Sequence, residues 1–181
     1  ILGFGVAPES IGFGSTFSYK DFSASILVEG KMGGSFYSGT NNWYKVYGLH
    51  KDTVPAGGRE AGFTPDGVME DGTVITTSIP MSKQEDYWSQ TLNIGEENVG
   101  SADYMRLRQL SIGYNVPSSM LEGSFISNAT VSLIGRNLLL LSNSSDNVDP
   151  ESSYAAGNAV GLERAGLPVP RTIGLNINLK F

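Results

Sequence analysis

Cysteine is absent from this chain of 181 residues, which excludes both a disulfide framework and a thiolate metal site. Histidine occurs once, as His50. No Gly-x-Ser-x-Gly nucleophile elbow accompanies it, so His50 reads as a solvated loop residue and no enzyme is expected. A basic tract is missing too: 12 Lys and Arg face 18 Asp and Glu, a formal charge of −6. Nucleic acid is therefore a poor partner, because nothing clusters to neutralise phosphates. Gly3-Phe-Gly5 and Gly12-Phe-Gly14 lack the spacing and following helix of a nucleotide-binding loop, and no cofactor is expected. Long apolar runs are also missing. The longest purely aliphatic stretch is Leu138 to Leu141, far short of the ~20 residues that a membrane-spanning helix needs. There is neither an initiating Met nor a signal-peptide core at the start, so the chain is expected to be the C-terminal part of something longer.

What the chain has in quantity is glycine, 23 residues, and short segments of period-two alternation. The clearest closes the sequence. Ile173, Leu175, Ile177, Leu179 and Phe181 fall on one face of an extended strand, and Thr172, Gly174, Asn176, Asn178 and Lys180 on the other. Ile11 to Tyr19 and Phe22 to Lys31 alternate likewise around Lys20-Asp21, the pattern of a β-hairpin. Leu110, Ile112 and Tyr114 share a face, with Met105 and Leu107 out of phase, as a bulge or arrival at the rim would make them. Strands are expected at about 11–19, 22–31, 104–115, 128–141 and 171–181. Between them connections alternate in length: 20–21 and 117–127 are short, 33–102 and 142–170 long. The long ones are rich in Gly, Pro and acidic residues, and only Gln84 to Leu92 suggests a helix. Outer-membrane barrels have short periplasmic turns and long extracellular loops. The expected fold is therefore all-β, an antiparallel transmembrane β-barrel segment with two long extracellular loops and a periplasmic C-terminus.

Several segments carry a family likeness. Ala102-Asp-Tyr-Met-Arg-Leu-Arg-Gln-Leu-Ser-Ile-Gly-Tyr-Asn-Val-Pro117 resembles the late-barrel strand of SusC/RagA-type TonB-dependent transporters. Ile134-Gly-Arg-Asn-Leu138, Val148-Asp-Pro-Glu-Ser152, Gly166-Leu-Pro168 and Pro170-Arg-Thr172 match in order. Phe17 to Phe22 with Glu29 to Gly34 resembles the hairpin before that family's large loop. The resemblance implies that residues 1–181 are the last five strands of a 22-stranded barrel in a Bacteroidetes outer membrane. It implies import of glycans or peptides under a SusD-like lipoprotein lid, driven through TonB by an N-terminal part that is not here. A small non-transporting surface protein, an adhesin-like barrel or β-sandwich binding module, is the alternative.

Candidate sites follow. Leu175, Ile177, Leu179 and Phe181 resemble the C-terminal signal read by the barrel-assembly machinery, through pairing of a free strand edge; they equally suit a lipid-facing strand. Trp43, Tyr44, Tyr47 and Trp88 lie in the large loop, where aromatic surface can meet a ligand or partner or pack the loop against itself. Asp146, Asp149 and Glu151 faintly suggest a Ca²⁺ loop, although Asn-Val-Asp-Pro is equally good turn chemistry, and no metal is assigned. Arg106, Arg108 and Arg136 sit within strands, where pairing with carboxylates or contact with an anionic substrate would suit them.

Overall fold

The computed structural model describes residues 1–152 and 157–181. In chain order its elements are β1 (Glu9–Tyr19), β2 (Phe22–Met32), β3 (Ser35–Ser38), α1 (Gly39–Val46), α2 (Met81–Gln90), β4 (Val99–Ser101), β5 (Tyr104–Asn115), β6 (Asn128–Asn143), β7 (Leu162–Glu163) and β8 (Thr172–Lys180). β1, β2, β5, β6 and β8 form one antiparallel sheet in that order, whose two outermost strands do not meet. A small second sheet, β4-β3-β7, lies in the loop layer. No helix among the described residues is long and apolar enough to cross a membrane, which leaves crossing by strands open.

Register explains the sheet. Residues directly opposite across antiparallel strands share a face. The row Phe17, Ala24, Ile112, Leu133, Leu175 runs across all five strands, as does Tyr19, Phe22, Tyr114, Val131, Ile177. The other face carries Ser18, Ser23, Gly113, Ser132 and Asn176 in one such row. One face is therefore apolar from edge to edge and the other polar, yet the apolar face covers nothing. Phe17 is 66% exposed, Leu133 53% and Leu175 66%. Among the described residues the buried apolar side chains are Phe36, Tyr104 and Ala129. The chain exposes 12036 Å², whereas a folded monomer of 19.3 kDa exposes about 8,500 Å².

Two local features place the site. The first is a bulge. Pairing between β2 and β5 slips at Leu27/Val28, and that between β5 and β6 slips between Leu107 and Gln109. Arg108 is the residue left over on β5. Opposite it Asn137 takes a left-handed φ of 52°, and Leu138 folds over Gly135, where a Cβ would come within 2.8 Å of its methyls. The slip brings Met105 and Leu107 into the phase of Leu110. Past the bulge β6 runs on to Asn143, because Met105 and Tyr104 still pair with Ser142 and Asn143. The second feature is the turn out of β2. Gly33 has φ 77°, and its amide donates to Asp103 Oδ1 at 2.7 Å, sending the chain from the sheet into the loop layer.

The loop layer is more ordered than its sequence suggests. Residues 33–102, read as devoid of periodicity apart from one weak helix, contain β3, α1, α2 and β4. The expected helix at Gln84 to Leu92 lies at Met81–Gln90. Ser38 caps α1, its Oγ accepting from the Asn41 amide at 3.0 Å, as Ser at an N-cap does. β3 pairs in parallel with β7, which ties the two long connections together.

Candidate functional site

Where the loop layer meets the polar face of the sheet, five charged side chains and a tyrosine interlock. Arg106 and Arg108 come from β5, Glu29 from β2, and Asp149 and Glu151 from the 142–170 connection. Alternation alone would send Arg106 and Arg108 to the same face, but the bulge gives Arg108 its own position beside Asn137. Arg106 Nη2 donates to Asp149 Oδ1 at 2.6 Å. Its Nε lies 2.9 Å from Glu151 Oε2, a charge contact without the alignment of a hydrogen bond. Arg108 grips Glu151 with both terminal nitrogens, at 2.7 and 3.0 Å, and turns its Nε to Glu29 at 2.6 Å. Its Nη1 also reaches Asn137 Oδ1 at 3.1 Å, and the Tyr104 hydroxyl donates to Glu151 Oε1 at 2.8 Å. Arg106 is 3% exposed, so its charge survives only because it is matched.

The two loop carboxylates follow from these contacts. Burial pushes the Asp149 carboxyl up, but the hydrogen bond from Arg106 and the amides of Glu151 and Val169 hold it below its ordinary value. Burial likewise raises Glu151, and hydrogen bonds from Arg108 and Tyr104 with both arginine charges bring it below. Both are ionised and spent on arginine and backbone, which leaves little for a Ca²⁺ ion; among the described residues no acidic or histidine cluster has the geometry of a metal site. Asp146, the third residue of that suggestion, pairs with Lys51 at 2.8 Å. Arg136 stands in the ladder opposite Gln109 and Thr172 and joins no ion pair among the described residues.

A second buried carboxylate knots the two long connections together. Glu163, 3% exposed, accepts from Ser38 Oγ at 2.8 Å and Thr40 Oγ1 at 2.5 Å. The amides of Thr40 and Gly166 complete its set, at 3.4 and 3.1 Å. Beside this knot an open cleft of about 590 Å³ lies between α1 and residues 147–149 and 163–168, with Trp43 and Tyr44 on one wall and Arg164 and Pro168 on the other. Trp43 stacks on Tyr47, centroids 5.5 Å apart and planes 16° from parallel.

Trp88 is not brought to that cleft. It packs on Phe63 (5.4 Å, 18°) and Tyr87 (5.1 Å, 86°) and lines a separate hollow beside Tyr47. His50 corrects its sequence reading. It is 4% exposed because its ring caps the turn Lys51–Thr53, Nδ1 accepting from the Asp52 amide at 3.2 Å. Leu175, Ile177 and Leu179 lie on the bare apolar face, and Phe181 stacks on Phe125 at 5.6 Å. Sequence reasoning missed Glu163 and Glu29, since a lone glutamate in a polar loop or alternating strand carries no local signal of a distant partner.

No protein-family model matches the chain. Among curated proteins it is 29% identical over 187 residues to TonB-dependent receptor P26 of Formosa agariphila, an alignment that takes in 100% of this chain and 18% of that receptor. TonB-dependent receptor P3 of the same organism is 26% identical over 179 residues, 95% of this chain and 16% of the receptor. The chain thus spans about a sixth of the length of these relatives. Among solved structures it superposes on the RagAB peptide transporter with a TM-score of 0.62 at 19% identity, covering 98% of this chain and 17% of that one. For the RagAB peptide importer in its open-open state the TM-score is 0.63 at 20% identity, covering 97% and 17%. The SusC/RagA resemblance carried by the β5 motif and the segments after it is thereby met in both comparisons: along its whole length this chain is a homologue of the TonB-dependent receptors.

Proposed function

We propose that this chain is a five-stranded wall section of a 22-stranded TonB-dependent outer-membrane importer, carrying two of its extracellular loops. The observation that carries the reading is the bare apolar face. Five paired strands cover it edge to edge with Phe, Leu, Ile and Tyr, and it packs on nothing. Burying an aliphatic side chain is worth ~1.5–3 kcal/mol, so water is the wrong solvent for this face and hydrocarbon the right one. The opposite face, polar and overlaid at one end by the loop layer, then faces the lumen. β1 and β8 each keep an unpaired edge, which hydrocarbon does not tolerate. Single-chain bacterial barrels have at least about eight strands, so five must be completed by others.

On this reading 33–102 and 142–170 are extracellular and Phe181 periplasmic, with Leu175, Ile177, Leu179 and Phe181 forming the strand offered to the barrel-assembly machinery. The salt-bridge lattice fixes the outer loops onto the lumenal wall, where an imported glycan or peptide passes and where a SusD-like lid would sit. TonB would act through the part of the receptor that this chain does not contain. The test is the size and location of the native protein. An antibody against the 33–102 loop should find it in the outer-membrane fraction, several-fold heavier than 19.3 kDa. A band near 19.3 kDa in any fraction would instead favour a small surface protein.

A further inference from the structure

The turn between β5 and β6 is built unlike the other connections. Lys20 and Asp21, which join β1 to β2, are both charged, and the two long connections are rich in acidic residues. Residues 117–127 hold a single charged side chain, Glu122, midway between the strand ends Asn115 and Asn128. Around it stand Met120, Leu121, Phe125 and Ile126. Met120 is 71% exposed and Phe125 80%. Exposed apolar residues standing singly need no account, but Phe125 is joined to a larger surface.

Two contacts place it there. Its ring stacks on that of Phe181, the planes 17° from parallel. Phe181 continues the alternation of Ile173, Leu175, Ile177 and Leu179, so the stacked pair carries the bare apolar face beyond the last rung of the ladder, where Asn128 stands opposite Lys180. The end of the turn is tied to the same strand: Ser127 donates its amide and its hydroxyl to the Lys180 carbonyl, at 2.7 and 3.1 Å.

The turn also closes many of its own hydrogen bonds. The amides of Met120 and Leu121 donate to the carbonyls of Pro117 and Ser118, and that of Ser124 to Leu121. Ser124 Oγ accepts from the Ile126 amide at 3.2 Å and donates to the Leu121 carbonyl at 2.8 Å. Backbone groups already paired within a segment lose little when that segment leaves bulk water. What covers the turn then follows from continuity. The face that Phe125 extends is the one assigned to hydrocarbon, and the same end of that face carries Tyr19 and the pair Phe22–Tyr114, centroids 4.8 Å apart. Aromatic and aliphatic side chains beside one another at the rim of an apolar band suit the zone where head groups meet acyl chains.

Resting on the importer reading, we infer that the 117–127 turn is a membrane anchor in its own right, with Phe125 set in the head-group boundary of the periplasmic phospholipid leaflet and Glu122 in water. Segments bound in this zone bury their apolar side about 5–10 Å into it. The turn thereby holds the ends of β5, β6 and β8 at one depth, a task that the charged Lys20–Asp21 turn is not built to share.

The experiment uses the full-length protein, any other cysteine replaced by serine, folded in vesicles of phosphatidylethanolamine and phosphatidylglycerol. Nitroxide labels are attached singly through Phe125→Cys, Glu122→Cys and Leu175→Cys, and heat-modifiable migration on a gel checks that each variant is folded. Power saturation of the spin signal compares collisions with oxygen, which concentrates among acyl chains, and with a water-soluble nickel chelate. The ratio of oxygen to chelate access should be several-fold higher at 125 than at 122, and higher still at 175. Equal ratios at 125 and 122 place the turn in water and overturn the anchor alone. A label at 125 shielded from both reagents means that protein covers it, a second copy or an assembly factor, and overturns the anchor as well. Free chelate access at 175 overturns the importer reading first, and this inference with it. Should the label at 125 block folding, Phe125→Trp decides the same question. Its added fluorescence over the unsubstituted protein is quenched by lipids brominated near the head group if the anchor is real, and is unquenched if it is not.

Discussion

The five-stranded sheet and the loop layer it carries are built on opposite principles. In the sheet the strands pair along most of their length, yet its apolar side chains stay in the open, with Phe13 62% and Ile173 71% exposed. In the loop layer apolar burial is sparse too, but polar groups are buried in company: Glu163 with Ser38 and Thr40, Arg106 with Asp149, and Lys45 with the Glu97 carbonyl at 3.1 Å. The sheet has local order and lacks an environment; the loops have made one for themselves. The sheet's stability must therefore come from what surrounds it, while that of the loops depends on a few charged contacts to the wall.

The largest expected effect comes from taking the surroundings away. Residues 1–181 expressed alone should show no cooperative thermal unfolding as a monomer in buffer or in lipid vesicles, since both sheet edges and the apolar face lack partners. Circular dichroism across a thermal scan checks this. A single sharp transition would mean that the sheet needs no further strands.

The loop side can be broken separately. Arg106→Ala leaves Asp149 buried beside an empty place, and removing one partner of a buried pair costs ~3–5 kcal/mol. The barrel should still fold, because the strand ladder is untouched, but the 142–170 segment should detach and become protease-sensitive. Limited proteolysis of whole cells measures it. Unchanged cleavage would show that Glu163 and the β3–β7 pairing hold the loop without the arginines.

The sheet's outer face can be probed with one charge. Leu133 lies mid-strand on β6, opposite Ile112 and Leu175. Leu133→Arg at a water-facing site should cost almost nothing, because exposed surface substitutions stay within about 0.5 kcal/mol. Facing hydrocarbon it should cost ~2–4 kcal/mol. Urea titration of the folded full-length protein in vesicles separates the two, and the small value would remove the membrane from this face.

These contrasts also explain what could be read from residues alone. Period-two alternation is a local property of a strand that separates two solvents, so the apolar rows through Leu133 and Leu175 were visible before any pairing was known. The phase break between Leu107 and Leu110 was visible for the same reason, although residues alone left a bulge and the rim as equal explanations and the register slip decides for the bulge. The partners across it were not legible, because nothing near Glu29 or Glu151 in the chain reports an arginine 79 or 43 residues away. Nor was α1, whose signal rests on the Ser38 cap amid Gly, Thr and Asn. His50 misled because a buried polar side chain that caps a turn looks, in sequence, like an exposed one.

His50 also supplies the smallest effect and the finest separation of the two regions. Burial lowers its pKa from the ordinary 6.5, opposed by Asp52 and Asp146 and aided by Lys45 and Lys51. The folded state therefore holds fewer protons at this site than the unfolded chain once pH falls below 6.5, and stability declines with falling pH. That loss begins at the ordinary value and is complete once pH drops below the folded one. Asp149 and Glu151 respond elsewhere: their pKa values are lowered from 3.8 and 4.5, so their stabilisation is whole above those values and lost only as pH falls further. Between pH 7.5 and 5.5 the turn at Lys51–Thr53 should thus loosen while the lattice stays shut. Hydrogen exchange should show faster exchange at the Asp52 and Thr53 amides at pH 5.5, once corrected for intrinsic rates, with Glu151 and Val169 unchanged. In His50→Gln the pH response of the turn should vanish. If all four amides loosen together at pH 5.5, the turn and the wall contact are one cooperative unit, and the independence of the loop layer's parts fails.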